Sequence, residues 1–148
     1  MTAVPGSDDT LDITRQFIDA LNEGDKIRFA SFLDDAVLWH SAATDERVEG
    51  RGDVADNLFG YRNTFPDLHE EISNAFASGD QAAVETVVTG TYGGTVVPTI
   101  AGSGQHVRMQ LCYLLRVRSG KIVQITTYMD YRTLMAQLDM IMSPAAGP

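Results

Sequence analysis

QHVRMQLCYLLRV, residues 105–117, is followed by Arg118-Ser119-Gly120-Lys121, then by IVQITTYMD, residues 122–130, then by YRTLMAQL, residues 131–138. Apolar and polar residues roughly alternate in the two longer segments, the period of a half-buried strand, and a Gly-containing tight turn separates them. At Leu134, Met135 and Leu138 the apolar spacing becomes helical. The stretch therefore predicts strand, turn, strand and short helix, with Asp130 as the cap of that helix. Met109, Leu111, Tyr113 and Leu115 share one strand face. Arg108, Arg116 and Arg118 share the other with His106 and Cys112 and predict an outer or dimer face.

Working outward, a helix capped by Asp9 or Thr10 is expected up to about Asn22, with Ile13, Phe17, Ala20 and Leu21 on one face and Gly24 as its stop. A second helix, about 26–33, carries Phe29 and Phe32. Ala36–Ala42 reads as a strand, 47–49 as a short return strand, and 54–64 as a third helix ended by Pro66. Leu68–Ser78 and Ala82–Tyr92 read as strands joined at Gly79-Asp80, a hairpin signal. Gly93–Gly104 is a long Gly-containing loop, expected to be a flap over a pocket mouth. Helices early and strands late predict an α+β fold, one domain with an ordered core of about 9–142 between loose tails.

Composition narrows the function classes. The chain has 148 residues, with 44% hydrophobic and 21% charged, ordinary for one soluble domain. Its net charge of −9 argues against nucleic acid as a partner. No apolar run reaches the roughly 20 residues of a membrane span, and no secretory signal is visible, so the cytoplasm is the expected compartment. Cys112 is the one cysteine; it excludes an internal disulfide and reads as a buried strand thiol. No Cys/His spacing suggests a metal, and no cofactor is expected.

This order of elements resembles the nuclear-transport-factor-2-like superfamily. The resemblance rests on the segments 20–25 (ALNEGD), 33–37 (LDDAV), 50–52 (GRG) and 120–122 (GKI). The ending DYRTLMAQL, residues 130–138, is similar to that of the SnoaL-like polyketide cyclases in particular. The resemblance implies a cone: a strongly curved mixed or antiparallel sheet around a pocket, closed by the N-terminal helices. It also implies positions. The acid/base Asp of the aldol cyclases falls on Thr127, and their pocket His on Tyr113, three residues before Arg116. Of the Arg and two Asp of limonene-type epoxide hydrolases, one Asp falls on Thr127 and the rest near Thr86 and Val88. The hydrogen-bond donors of ketosteroid isomerases fall on Phe17 and Tyr113, and their base, four residues after Ala36, on His40.

On this reading the aldol carboxylate and the epoxide triad are missing. His40 is the candidate base, since imidazole titrates near neutrality, and Tyr113 the candidate carbonyl donor. If His40 is the base, its replacement costs a factor of about 10²–10⁴. The candidate substrate-binding residues are Phe17, Leu38, Trp39, Leu58, Tyr61, Phe65, Met109, Leu111, Thr127 and Met129, a largely apolar set. Phe17, Tyr61, Tyr113 and Thr127 are expected to face one cavity roomy enough for a polycyclic product. Asp67, His69, Glu70 and Glu71 read as a solvated cluster. The expected function is a cofactor-independent cyclase for a hydrophobic, polyketide-like substrate, closing a ring by holding a reactive conformer for cycloaddition. Alternatives are an isomerase or epoxide-opening enzyme using His40, or a non-catalytic binding domain. A homodimer through the outer sheet face is expected.

Overall fold

The structure, a computed structural model, describes residues 6–93 and 104–138. The body of the expected flap, 94–103, and the tail beyond 138 lie outside the described residues. Ten elements follow one another: α1 (Ser7–Glu23), α2 (Lys26–Ser31), β1 (Leu33–Ser41), β2 (Arg47–Glu49), α3 (Arg51–Thr64), β3 (His69–Ser78), β4 (Gln81–Thr91), β5 (His106–Arg118), β6 (Lys121–Met129) and α4 (Tyr131–Gln137). The strands form an open six-stranded sheet in the order β2-β1-β6-β5-β4-β3. The β1–β6 pair is parallel and every other pair antiparallel. The fold is α+β, as the order of elements predicts.

Local chemistry sets the boundaries. Helix α1 begins at Ser7, earlier than expected, with Gly6 as a cap that offers no side-chain bond. Thr10 therefore lies inside the helix, and its hydroxyl donates instead to the Gly79 carbonyl at 2.6 Å. Gly24 ends α1 in the left-handed region at φ 70°, where its N–H reaches the Leu21 carbonyl and the next N–H reaches Ala20. Asp25 and Asp130 cap α2 and α4 by accepting the N–H groups of Arg28 and Thr133, both at 3.0 Å. Ser119 and Gly120 both have positive φ, the pattern of a tight two-residue hairpin turn.

Two helices cover the inner sheet face. Helix α1 packs on β3 and β4, and α3 on β1 and β2. Phe17, Ile18, Phe29, Val37, Val84, Leu115, Ile122 and Ile125 form the driest part of the core. Phe17 stacks at 4.6 Å between ring centroids on Phe29 and meets Tyr113 edge-on at 6.0 Å. At Gly90 an added Cβ would stand 3.0 Å from the Phe65 side chain, so the missing side chain lets α3's end press on β4. Cys112 is half-exposed on the outer face rather than buried; it shares the parity of its neighbours Gln110 and Leu114, both exposed.

Strand β3 holds the element that matters most below. Its register slips between Ile72 and Asn74, leaving Ser73 as an extra residue. Before the bulge, Glu70 and Ile72 turn inward; after it, Ala75 and Ala77 take the inner positions. The edge is tied to α1 by Asn22, whose side chain donates to the Glu70 carbonyl at 2.8 Å and accepts its N–H at 2.7 Å. Asn22→Ala strips partners from two backbone groups and is expected to cost about 1–3 kcal/mol. Its denaturant midpoint should fall and amide exchange at Glu70 should quicken. An unchanged midpoint would show the latch to be idle.

Candidate functional site

Strand alternation and the two covering helices leave a cavity between sheet and α3. Trp39 and Ser41 reach it from β1, Glu70 from β3, Val88 from β4, Met109, Leu111 and Tyr113 from β5, and Thr127 and Met129 from β6. Leu58, Tyr61, Phe65 and Leu68 close it from α3 and the turn that follows, and Leu21 from α1. The enclosed free volume is small, ≈ 40 Å³. The cavity is narrow, and a polycyclic product fits only if flexible lining groups such as Met109, Met129 and the half-exposed Tyr61 move aside.

The polar residues of the cavity, with Thr86 behind its wall, form a belt across five strands. Glu70 is 4% exposed. The Tyr113 hydroxyl lies 2.9 Å from each of its carboxyl oxygens, and the Thr86 hydroxyl donates to Oε1 at 3.0 Å. At the other end of the belt, on β1 and β6, the Trp39 indole N–H donates to the Thr127 hydroxyl at 2.9 Å. Tyr113 and Thr127 face each other across β5 and β6, and Thr127 and Ser41 across β6 and β1.

Burial governs the proton affinity of this belt. Taking the carboxylate of Glu70 out of water raises its pKa to about 7, against the pull of the Tyr113 and Thr86 hydroxyls, which favour the charged form. Burial, then the nearby Glu70 charge, hold the Tyr113 phenol well above its ordinary value. Tyr113 therefore stays protonated and acts as a donor, while Glu70 gains and loses a proton near neutrality. A buried carboxyl tuned to about 7 is equipped to act as base and then as acid in one cycle.

The expected site residues separate into two groups. Trp39, Leu58, Tyr61, Phe65, Met109, Leu111, Tyr113, Thr127 and Met129 come together around the cavity. Phe17, Leu38 and His40 do not line it. Phe17 is fully buried in the aromatic stack beneath Tyr113. Leu38 and His40 alternate with Val37, Trp39 and Ser41, which face inward, so both point to the other side of β1. His40 Nε2 instead meets Asp45 Oδ1 at 2.8 Å on the surface. That hydrogen bond and the Arg47 charge hold the Asp45 carboxyl below its usual range. His40→Ala is accordingly expected to leave turnover within about threefold of wild type; a loss of 10²-fold or more would return the role of base to His40.

Glu70 is the residue that the sequence reading placed in solvent. Its neighbours do lie there: Asp67, His69 and Glu71 are exposed, and Asp67 accepts the N–H and hydroxyl of Thr91 at 2.7 and 2.8 Å. The signal for Glu70 was its parity with Leu68 and Ile72. Adjacent glutamates in a strand cannot both face water when one sheet face is covered.

Comparison with known proteins agrees with this architecture. The model of the SnoaL-like polyketide cyclases matches residues 11–138, and the chain belongs to that family. Among solved structures, AclR of Streptomyces galilaeus, a candidate hydroxylase, superposes with a TM-score of 0.81 at 23% identity, over 93% of this chain and 89% of that one. A candidate polyketide cyclase from Xanthomonas campestris pv. campestris gives 0.78 at 24% identity, over 89% and 98%. An LEH-like epoxide hydrolase from M. tuberculosis gives 0.72 at 18% identity, over 89% and 90%. At these identities the likeness is one of fold. No curated protein matches the chain by sequence. No helix among the described residues is long and apolar enough to cross a membrane, and no cluster of three or more metal-binding side chains occurs among them.

Proposed function

We propose that this protein is a cofactor-independent ring-closing enzyme for a hydrophobic, polyketide-derived intermediate, and that Glu70 moves the proton. The carrying observation is the placement of Glu70: a nearly inaccessible carboxyl on the wall of an apolar cavity, held by Tyr113 and Thr86. The carboxylate takes a proton from the carbon beside a substrate carbonyl. The carbanion equivalent attacks a second carbonyl of the same chain, and protonated Glu70 returns its proton to the new alkoxide. The apolar walls fold the chain so that the two carbons meet.

A hydrophobic δ-diketone is the test substrate, since its closure and loss of water give a conjugated cyclohexenone seen by ultraviolet absorption. The wild type should accelerate that closure and Glu70→Gln should not. Equal acceleration by both would remove Glu70 from the chemistry. The apolar lining favours one second reading, the mould for a cycloaddition. A tethered triene–dienophile probe closed equally well by wild type and Glu70→Gln would establish that reading instead. An isomerase would use the same Glu70 chemistry without the bond-forming step. The reading with His40 as base loses its support, because His40 faces away from the cavity.

A second copy of the chain is proposed as the partner of the outer sheet face. Phe76, Leu114 and Tyr128 are exposed there at 60%, 44% and 48%; a sheet face left to water is ordinarily polar, and large apolar side chains on one mark an interaction surface. Leu114→Glu should turn a dimer into a monomer in sedimentation, with the fold retained. A wild type that sediments as a monomer at micromolar concentration would contradict the proposal.

A further inference from the structure

The belt has a second end that the proton chemistry of Glu70 leaves unused. Ser41 and Thr127 are 4% and 5% exposed, and both line the cavity. They are register partners on adjacent parallel strands, so their Cβ atoms stand roughly 5 Å apart on one face. The Thr127 oxygen already accepts the Trp39 N–H, which leaves its own hydrogen free to be donated. Among the described residues the Ser41 hydroxyl has no hydrogen-bond partner, although the residue is almost wholly buried. Among the described residues the inaccessible side-chain nitrogen or oxygen left without a partner is Asn57 Nδ2, so the Ser41 oxygen, on a residue that lines the cavity, keeps contact with open space where a ligand oxygen can accept from it. Two hydroxyls and a carboxyl that can remove a proton line the same largely apolar cavity, the set of groups that enolisation requires.

We infer that Ser41 and Thr127 form a carbonyl-oxygen site, and that the ligand is a ketone whose oxygen sits on these hydroxyls while its acidic α-carbon faces Glu70. This inference rests on the proposed role of Glu70. As the C–H bond breaks, the proton passes to the Glu70 carboxylate and the electron pair shifts through carbon to the carbonyl oxygen. The resulting enolate oxygen carries the charge. Hydroxyls that bind it more strongly than the neutral ketone lower the barrier. The Trp39 N–H, by polarising Thr127, makes that hydroxyl the better donor. The substrate class narrows accordingly to compounds with at least one ketone flanked by CH₂ or CH.

β-Naphthol and naphthalene serve as probes that differ by the oxygen alone, with β-tetralone as the reacting ketone. Wild type should bind β-naphthol in preference to naphthalene. The preference should persist in Glu70→Leu, whose side chain offers the naphthol oxygen no hydrogen-bond partner. Ser41→Ala and Thr127→Val should each reduce it about three- to tenfold, while Thr127→Ser restores it. In deuterated water, exchange of the β-tetralone α-hydrogens should fall in the same two variants. An unchanged naphthol preference in both Ser41→Ala and Thr127→Val overturns the oxygen site, even where Glu70→Gln abolishes exchange. Conversely, exchange that survives Glu70→Gln while the preference follows the hydroxyls defeats the role of Glu70 and leaves the oxygen site standing. Circular dichroism on each variant keeps a folding failure from passing as either result.

Discussion

Glu70→Gln should lower the ring-closing rate by about 10²–10⁴-fold, the usual worth of a positioned general acid or base. The substitution is nearly isosteric, and the Gln oxygen still accepts from Tyr113 or Thr86, whose hydroxyls lie 2.9 and 3.0 Å from the native carboxyl. Binding should therefore survive, and the loss should fall on kcat rather than KM. Wild-type turnover should rise with pH to a plateau through a midpoint near 7, because only the ionised carboxyl abstracts a proton. Glu70→Gln should lose that limb. A variant that keeps wild-type kcat and the same pH profile would place the chemistry elsewhere.

The second large effect is on stability. The folded pKa of Glu70, about 7, exceeds its ordinary value of 4.5. Below 4.5 the carboxyl is protonated in both folded and unfolded chains, and pH has no leverage through it. Between 4.5 and about 7 the folded state holds more protons than the unfolded state, so stability falls as pH rises. Above 7 the loss levels off, at about 3 kcal/mol. This is the opposite of a salt-bridged carboxylate, whose stabilisation is lost as pH falls. Glu70→Gln has no carboxyl to titrate, so the variant should gain on wild type across that window, by denaturant unfolding at pH 5 and pH 8. Parallel curves for the two proteins would mean that Glu70 titrates normally.

Much of the architecture is legible because alternation and helical spacing agree with the turn residues. The Gln105–Leu138 stretch falls into two strands, a Ser119-Gly120 turn and a capped helix within about a residue of the reading. What local pattern left open was which face of each strand meets the cavity. Leu38, Trp39 and His40 are consecutive, and a strand can send only Trp39 inward if Val37 and Ser41 also go inward. The family comparison placed a base on His40 by counting residues, and counting carries no information about a strand's rotation. Glu70 was obscured by its company. Asp67, His69 and Glu71 are exposed, and the bulge at Ser73 ends the alternation just past Ile72, so that Leu68 and Ile72 alone mark the inward face of Glu70. Phe17 shows a third kind of ambiguity, since an aromatic on the inner face of α1 can line a cavity or fill the core beneath it; packing against Phe29 settled that. Ser41 and Trp39 fall into place only once the parallel β1–β6 pairing aligns them with Thr127 and its neighbours, a pairing between residues more than eighty positions apart.

The buried carboxyl itself can be watched directly. Infrared difference spectra of wild type against Glu70→Gln, taken from pH 4 to pH 9, isolate the C=O stretch of a protonated Glu70. That band should be present at pH 5, disappear with a midpoint near 7, and be absent at every pH in the variant. A band that is already gone by pH 5.5 would show an ordinary carboxylate, and the proton-transfer role assigned to Glu70 would fall with it.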